Sequence, residues 1–238
     1  MSGHSKWATI KHKKAATDSK RGQIFTKLIR AITVAVRDGG PDINSNFKLR
    51  LAVEKARQVN MPKVNIDRAI ERGSGGADGV NLTEAVYEGF GPGNVSCIVE
   101  VLTDNKNRTA SEIKKIFDKA GGRLGQPGSV SFLFDKKGRL VVNLTENKDE
   151  LMLKLIDLGA EEIELIEEGV EVITPPTEMM EMKSRFEAQG LVVSQASLVY
   201  LPKTYLKLEE ELKQKALTLL EALDDYDDVQ EVYSNLYV

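Results

Sequence analysis

RLVVNLTENKDELMLKLIDLGAEEIELIEEGVEVITPPTEMMEMKSRFEAQGLVVSQASLVYL, residues 139–201, is the stretch that decides the fold. Residues 140–144, 163–166, 170–174 and 192–201 are short runs rich in Val, Ile and Leu, the composition of strands. Residues 149–158 and 178–189 carry apolar side chains at helical spacing between them. The order is strand, helix, strand, strand, helix, strand, the βαββαβ arrangement of a ferredoxin-like unit.

Outward from this unit, the flanking pieces do not close a sheet separately. On the amino side, Val95, Cys97, Val99 and Val101 alternate with Ser96, Ile98, Glu100 and Leu102, a strand with one fully apolar face. Thr109 and Glu112 form a capping-box pattern for a helix to about residue 119, closed by Gly121-Gly122. Val130, Phe132 and Phe134 mark a further strand. On the carboxyl side a helix is expected over 208–223, with Leu212, Leu219 and Leu223 on one stripe, then a strand over 229–237. The reading is a discontinuous α+β domain, 80–136 plus 205–238, with the ferredoxin-like domain inserted at 137–204.

Residues 1–76 read as a basic arm followed by helices over 23–37, 46–59 and from Pro62 to Gly73. Asp38-Gly39-Gly40-Pro41 stops the first and Asn60-Met61-Pro62 breaks the second. Residues 74–79 are a glycine-rich linker. The expected class is therefore α+β, an N-terminal helical domain followed by two α+β domains with antiparallel sheets, one ferredoxin-like and inserted in the other.

The chain has 238 residues, 41% hydrophobic and 29% charged, an ordinary globular composition. One cysteine, Cys97, cannot build a disulfide framework, and on a strand it reads as a small core residue. The apolar runs are far short of the roughly 20 residues of a membrane span, and the opening residues lack the apolar core of a secretory signal. A cytoplasmic protein without membrane partners is expected. The net charge of −3 hides an asymmetry. Residues 1–72 hold 16 basic and 6 acidic residues, a net of +10, while the rest hold 17 and 30, a net of −13. Such a split suggests a basic module for a polyanion on an acidic body.

Within the first helix, Ile24, Phe25, Leu28, Ile29, Ile32 and Val36 fall in one sector and Lys27, Arg30 and Arg37 in the opposite one. Val34 sits among the cations without an evident reason. Lys11-His12-Lys13-Lys14 is the densest patch. Adjacent lysines repel, and phosphates would neutralise them with release of counterions. Trp7 and His12 have rings able to stack on bases, although Trp7 reads more simply as a hydrophobic anchor pinning the arm to the helices. The expected nucleic-acid contacts are Lys6, Trp7, Lys11, His12, Lys13, Lys14, Lys20, Arg21, Lys27 and Arg30. No base-reading motif accompanies them, so affinity is expected without sequence choice.

Signatures of catalysis are weak. His4 and His12 lie in the arm, apart from Cys97. Gly89-Phe90-Gly91-Pro92-Gly93 lacks the following helix that phosphate binding needs and reads as a hairpin turn. Asp224, Asp225, Asp227 and Asp228 have the chemistry to ligate a hard cation, yet four acids in a helix-to-strand connection read more simply as solvated charge. The loop 104–108, leading into a helix N-terminus, has the chemistry of an anion site, and it or the glycine-rich loop 121–128, with Arg123 and Gln126, has the chemistry to meet RNA or a protein partner; both read more simply as turns and caps. No catalytic residue, metal ligand or cofactor is expected.

Gly3-His4-Ser5-Lys6-Trp7, with Ile10, Lys11, Lys14, Ala15-Ala16, Lys20-Arg21-Gly22 and Phe25-Thr26-Lys27-Leu28, resembles the opening of the YebC/PmpR family. Asn60-Met61-Pro62, Tyr87-Glu88-Gly89-Phe90-Gly91-Pro92-Gly93, Asp104-Asn105-Lys106-Asn107-Arg108-Thr109, Gly128-Ser129-Val130 and Asp227-Asp228-Val229-Gln230-Glu231-Val232-Tyr233 fit the same family in order. Tyr226 stands where many members have cysteine. The resemblance implies a three-domain α+β protein and a non-enzymatic regulator. Members are described as probable transcriptional regulators that bind promoter DNA. Others, mitochondrial translational activators among them, resemble ribosome-associated factors that bind rRNA and assist synthesis of proline-rich stretches. The expected function is a DNA-binding transcriptional regulator, with the translation factor as the alternative; the oligomeric state is not specified.

Overall fold

A computed structural model describes residues 18–75, 82–144, 147–167 and 169–238. It divides into two compact units, Asp135–Leu201 and the chain on either side of it.

The flanking unit begins with three helices, α1 (Asp18–Gly39), α2 (Phe47–Gln58) and α3 (Lys63–Gly73). Leu28, Ile32, Ala35 and Val36 of α1 form a core with Leu49, Val53 and Ala56 of α2 and Ile66 and Ala69 of α3. Asn46 joins the first two helices. Its Oδ1 accepts the Leu49 N–H at 3.0 Å, capping α2, while its Nδ2 donates to the carbonyls of Ala35 and Gly40 at 2.6 and 2.7 Å. Gly40 has φ +84°, the left-handed conformation that ends a helix at low cost with glycine.

The sheet of this unit has the order β3-β1-β2-β8, antiparallel throughout, from β1 (Thr83–Phe90), β2 (Ser96–Thr103), β3 (Arg123–Leu124) and β8 (Val229–Ser234). A tight 3₁₀ turn, Pro92–Asn94, makes the β1–β2 connection a hairpin, as the glycine pattern there predicts. Helices α4 (Lys106–Lys119) and α7 (Glu210–Asp224) cover one face. There Val95, Cys97, Val99 and Val101 pack with Ile113, Phe117, Leu219, Leu220 and Leu223. Elsewhere on the sheet, Leu82 and Leu102 cluster with Val34 of α1. That contact explains the valine among cations: α1 has a second buried face.

Three local expectations are corrected. Residues 130–134 are not a strand; Ser131–Leu133 is a 3₁₀ turn, and one strand, β4, runs Phe134–Val142. The reason is Glu88, whose carboxylate takes the N–H groups of Val130 and Ser131 that a sheet ladder would need. The fourth strand is instead the two-residue β3 of the glycine-rich loop. Helix α4 starts before Thr109, capped by Asn105 Oδ1 on the Arg108 N–H at 3.1 Å. Leu212 lies in the first turn of α7 and is exposed, so the buried stripe starts at Ala216.

The unit Asp135–Leu201 contains β4, α5 (Lys148–Asp157), β5 (Glu162–Ile166), β6 (Gly169–Thr174), α6 (Met179–Ala188) and β7 (Val193–Pro202). Its sheet order, β5-β6-β4-β7, is the ferredoxin-like order, with β5 and β4 antiparallel to β6. Leu140 lies opposite Val172, and Val142 opposite Val170. These strand residues, with Leu151, Leu155, Met179 and Phe186 of the helices, are buried.

Candidate nucleic-acid interface

Six of the expected contacts, Lys6, Trp7, Lys11, His12, Lys13 and Lys14, lie outside the described residues, as does most of the expected linker at 74–79. The other four sit on α1, between its first turn and its middle. Arg21 is exposed, its guanidinium 5.8 Å from the centre of the Phe25 ring. Lys20, Lys27 and Arg30 all point at one place, the connection between α7 and β8. Lys20 Nζ lies 3.6 Å from Asp225 Oδ1. Lys27 Nζ donates to the Asp224 carbonyl and lies 3.5 Å from its carboxylate. Arg30 Nη1 donates to the Asp227 carbonyl at 2.8 Å and to Asp228 Oδ1 at 2.9 Å.

Asp224 and Asp228 are thus not solvated charge, while Asp225 and Asp227 remain exposed, Asp227 taking part through its carbonyl. The carboxylates of Asp224, Asp225 and Asp228 and the carbonyls of Asp224 and Asp227 together receive the cationic side of α1. Among the described residues, no group of three or more His, Cys, Asp or Glu side chains is placed to hold a metal ion.

Asp228 is the centre of this receptor and is only 3% exposed. Besides Arg30, it is met by Thr109 Oγ1 at 2.7 Å, Arg108 Nη2 at 3.1 Å and the Tyr226 hydroxyl at 3.3 Å, all on Oδ2. Thr103 and Thr109 hydroxyls are 2.7 Å apart, and the Asn105 N–H donates to Thr103. A hydroxyl has one proton to give. The consistent assignment is a chain in which Asn105 donates to Thr103, Thr103 to Thr109 and Thr109 to Asp228. Burial alone would raise the Asp228 pKa. The hydrogen bonds from Thr109 and Arg108 and the charge of Arg30 outweigh it and hold the carboxyl below its usual value. The same contact with Asp228 raises the Arg108 pKa.

Two further ion pairs tie the helices to the sheet: Lys48 to Glu84 at 3.2 Å, and Lys55 to Glu231. Part of the charge asymmetry is therefore internal, with basic helices resting on acidic strands and loops. Sequence reasoning could see the charges but not their pairing, because Arg30 and Asp228 are 198 positions apart.

It also passed over four cations. Arg57, Lys63, Arg68 and Arg72 are exposed, and among the described residues no hydrogen bond or ion pair holds them. The signal was available in the arginines of α3, which are four residues apart on the side away from Ile66 and Ala69.

A second buried carboxylate organises the glycine-rich loop. Glu88 accepts N–H groups from Gly128, Val130 and Ser131 at 2.8, 2.6 and 2.8 Å. Burial raises its pKa, but these three bonds outweigh that and lower it.

A basic helical head bound to an acidic α+β sheet, with a ferredoxin-like unit inserted, defines an α+β protein with an N-terminal helical region and two antiparallel sheets. The chain belongs to the TACO1/YebC family: the model of its N-terminal domain matches residues 5–76, and that of its second and third domains matches residues 82–236. A probable transcriptional regulatory protein of Thermotoga petrophila is 51% identical over 99% of this chain and 93% of its own. One from Geotalea uraniireducens is 48% identical over 99% and 95%. A crystal structure of a conserved hypothetical protein from Aquifex aeolicus superposes with a TM-score of 0.88 at 44% identity, covering 98% of this chain and 96% of that one. Among the described residues, no helix is long and apolar enough to cross a membrane.

Proposed function

We propose that this protein is a cytoplasmic, nucleic-acid-binding regulator of gene expression that acts on DNA as a transcriptional regulator. The observation that carries the reading is the cationic arm, Lys6, Lys11, Lys13 and Lys14 with Trp7 and His12, leading into a helix whose Arg21 is exposed. The relatives named probable transcriptional regulatory proteins support it. The arm and Arg21 make the direct phosphate contacts. Lys20, in an exposed pair of low net value, exchanges Asp225 for a phosphate readily. Lys27 and Arg30 are held by partly buried acceptors, so their first role is to seat α1. The reading needs no cofactor and no catalytic group.

If about five phosphates are neutralised, log affinity falls against log salt with a slope near −4 to −5. Replacing Lys6, Lys11, Lys13 and Lys14 by Gln lowers the affinity and flattens the slope. Unchanged DNA affinity in that variant would overturn the reading. Crosslinking in cells, with both DNA and RNA partners sequenced, separates DNA control from a translation factor on rRNA. Recovery of ribosomal RNA without promoter DNA would defeat the transcriptional version.

A further inference from the structure

The helical head has two kinds of cation. Lys20, Lys27, Arg30, Lys48 and Lys55 are committed to aspartates and glutamates of the acidic sheet and its loops. Arg37 and Arg50 are committed to Asp38 and to backbone carbonyls. Among the described residues, Arg57, Lys63, Arg68 and Arg72 have no hydrogen-bond or ion-pair partner.

Their positions are not scattered. With about 100° between successive residues of a helix, Lys48 and Lys55 share the flank of α2 that reaches Glu84 and Glu231, and Arg57 falls on the opposite flank. On α3, Val64, Arg68 and Arg72 succeed one another every four residues and form one stripe; Lys63, Asp67 and Glu71 form the neighbouring stripe. Both stripes lie away from Ile66, Ala69 and Gly73, the side packed on α1, where a Cβ at Gly73 would come within 2.6 Å of the Thr33 carbonyl. Arg57 and α3 are joined by a short corner pinned by buried Met61.

Two arginines one turn apart repel, and a helix gains no stability from placing them so. Glu71 stands three residues after Arg68, yet among the described residues no ion pair joins the two. Beside them Val64 is 57% exposed. Planar guanidinium groups match phosphate oxygens in a two-point fit that lysine cannot give.

We propose that the Arg68–Arg72 stripe of α3, extended by Arg57, is a second DNA-backbone surface, separate from the arm and from the cationic side of α1. It deepens the DNA-binding reading and rests on it. The occupant is the phosphate backbone of duplex DNA, chosen by charge complementarity: among the described residues these arginines, like Arg21 of α1, are exposed cations without a carboxylate partner. Val64 lies against the sugar edge beside the contacted phosphates. The surface adds affinity and orientation, not base readout.

The test uses the full-length protein, a labelled mixed-sequence duplex of about 30 base pairs, and anisotropy titrations from about 50 to 200 mM salt. Replacing Arg57, Arg68 and Arg72 together by Gln is expected to weaken binding about tenfold or more at the low end and to reduce the log–log slope by about 2 to 3. The same three positions changed to Lys keep most of the slope. A triple Gln change at Lys106, Lys114 and Lys119, exposed cations of α4, controls for net charge and leaves the slope near that of the parent. Thermal unfolding confirms that each variant is folded. An unchanged slope in the arginine variant overturns the proposal, as does an equal loss in the control or in the lysine variant. Loss of affinity for single-stranded RNA of the same length, with duplex binding intact, also overturns it. The arm variant titrated in parallel distinguishes the two ideas. If it loses affinity and the arginine variant does not, the arm reading stands and this surface falls; if the parent shows no salt-dependent DNA binding, both fall.

Discussion

Arg30, midway along the first helix, and Asp228, at the entrance to the last strand, stand 198 residues apart in sequence and 2.9 Å apart in space. Arg108 reaches the other oxygen of the same carboxylate at 3.1 Å. One aspartate thus joins the beginning, middle and end of the flanking unit.

Removing its charge while keeping its shape should therefore be costly. Asp228→Asn leaves two guanidinium groups without their shared anion and gives Thr109 and Tyr226 a poorer acceptor. The expected loss is about 3–5 kcal/mol, the usual effect of removing one partner of a buried pair. Urea denaturation measures it. A double-mutant cycle with Arg30→Gln should show coupling above about 1 kcal/mol. Additive losses would mean that the contact carries no energy of its own.

The same group sets an acid limit. Asp228 and Glu88 both have folded pKa values below their ordinary ones, the first through Thr109, Arg108 and Arg30 outweighing burial, the second through backbone N–H groups doing so. A depressed carboxyl contributes stability above its unfolded pKa, about 4, and loses that contribution as pH falls through the folded value. Stability is therefore flat with respect to these two groups near neutrality and falls below about pH 4. Asp228→Asn, measured over the same pH range, should give a shallower acid slope. An identical slope would exclude Asp228 as a source.

Glu88 holds the loop that ends β3 and begins β4. Glu88→Gln keeps one acceptor oxygen and replaces the other by a donor facing N–H groups. Amide hydrogen exchange at Val130 and Ser131 should accelerate, with a global loss of about 1–3 kcal/mol. Protection unchanged at both amides would show that the loop is held by other contacts.

Cys97 is fully buried on β2, and burial pushes its thiol pKa up to about 12. Only the thiolate reacts, so alkylation of the native protein near neutral pH should be slow and limited by opening of the sheet. Labelling rate measured against denaturant then reports that opening. Rapid native labelling would place the thiol nearer the surface.

Much of this architecture was legible because its signals are local. The βαββαβ order of 139–201 depends on runs of Val, Ile and Leu and on helical spacing, and both are properties of neighbours in sequence. Val130, Phe132 and Phe134 gave the same alternation, yet Phe132 is 64% exposed and the segment is a turn. What overrides the pattern there is a carboxylate more than forty residues earlier, which no window over 130–134 contains. The charged residues were legible in number and not in partnership. Lys27 and Arg30 occupy the helix face that periodicity assigns to them, but across from that face lies Asp224–Asp228 and not water. Arg68 and Arg72 were visible throughout and became distinctive only once Lys20, Lys27, Arg30, Lys48 and Lys55 had each been matched to a carboxylate.

The hydrogen bond from the Lys203 N–H to the Leu133 carbonyl, 2.9 Å long, brings the two strands of chain that lead into and out of Asp135–Leu201 side by side. The host sheet and its helices therefore meet across a gap that a short turn can bridge. In evolutionary terms, that doorway makes the ferredoxin-like body a cassette: it can be lengthened, exchanged or deleted without rethreading the rest of the polypeptide.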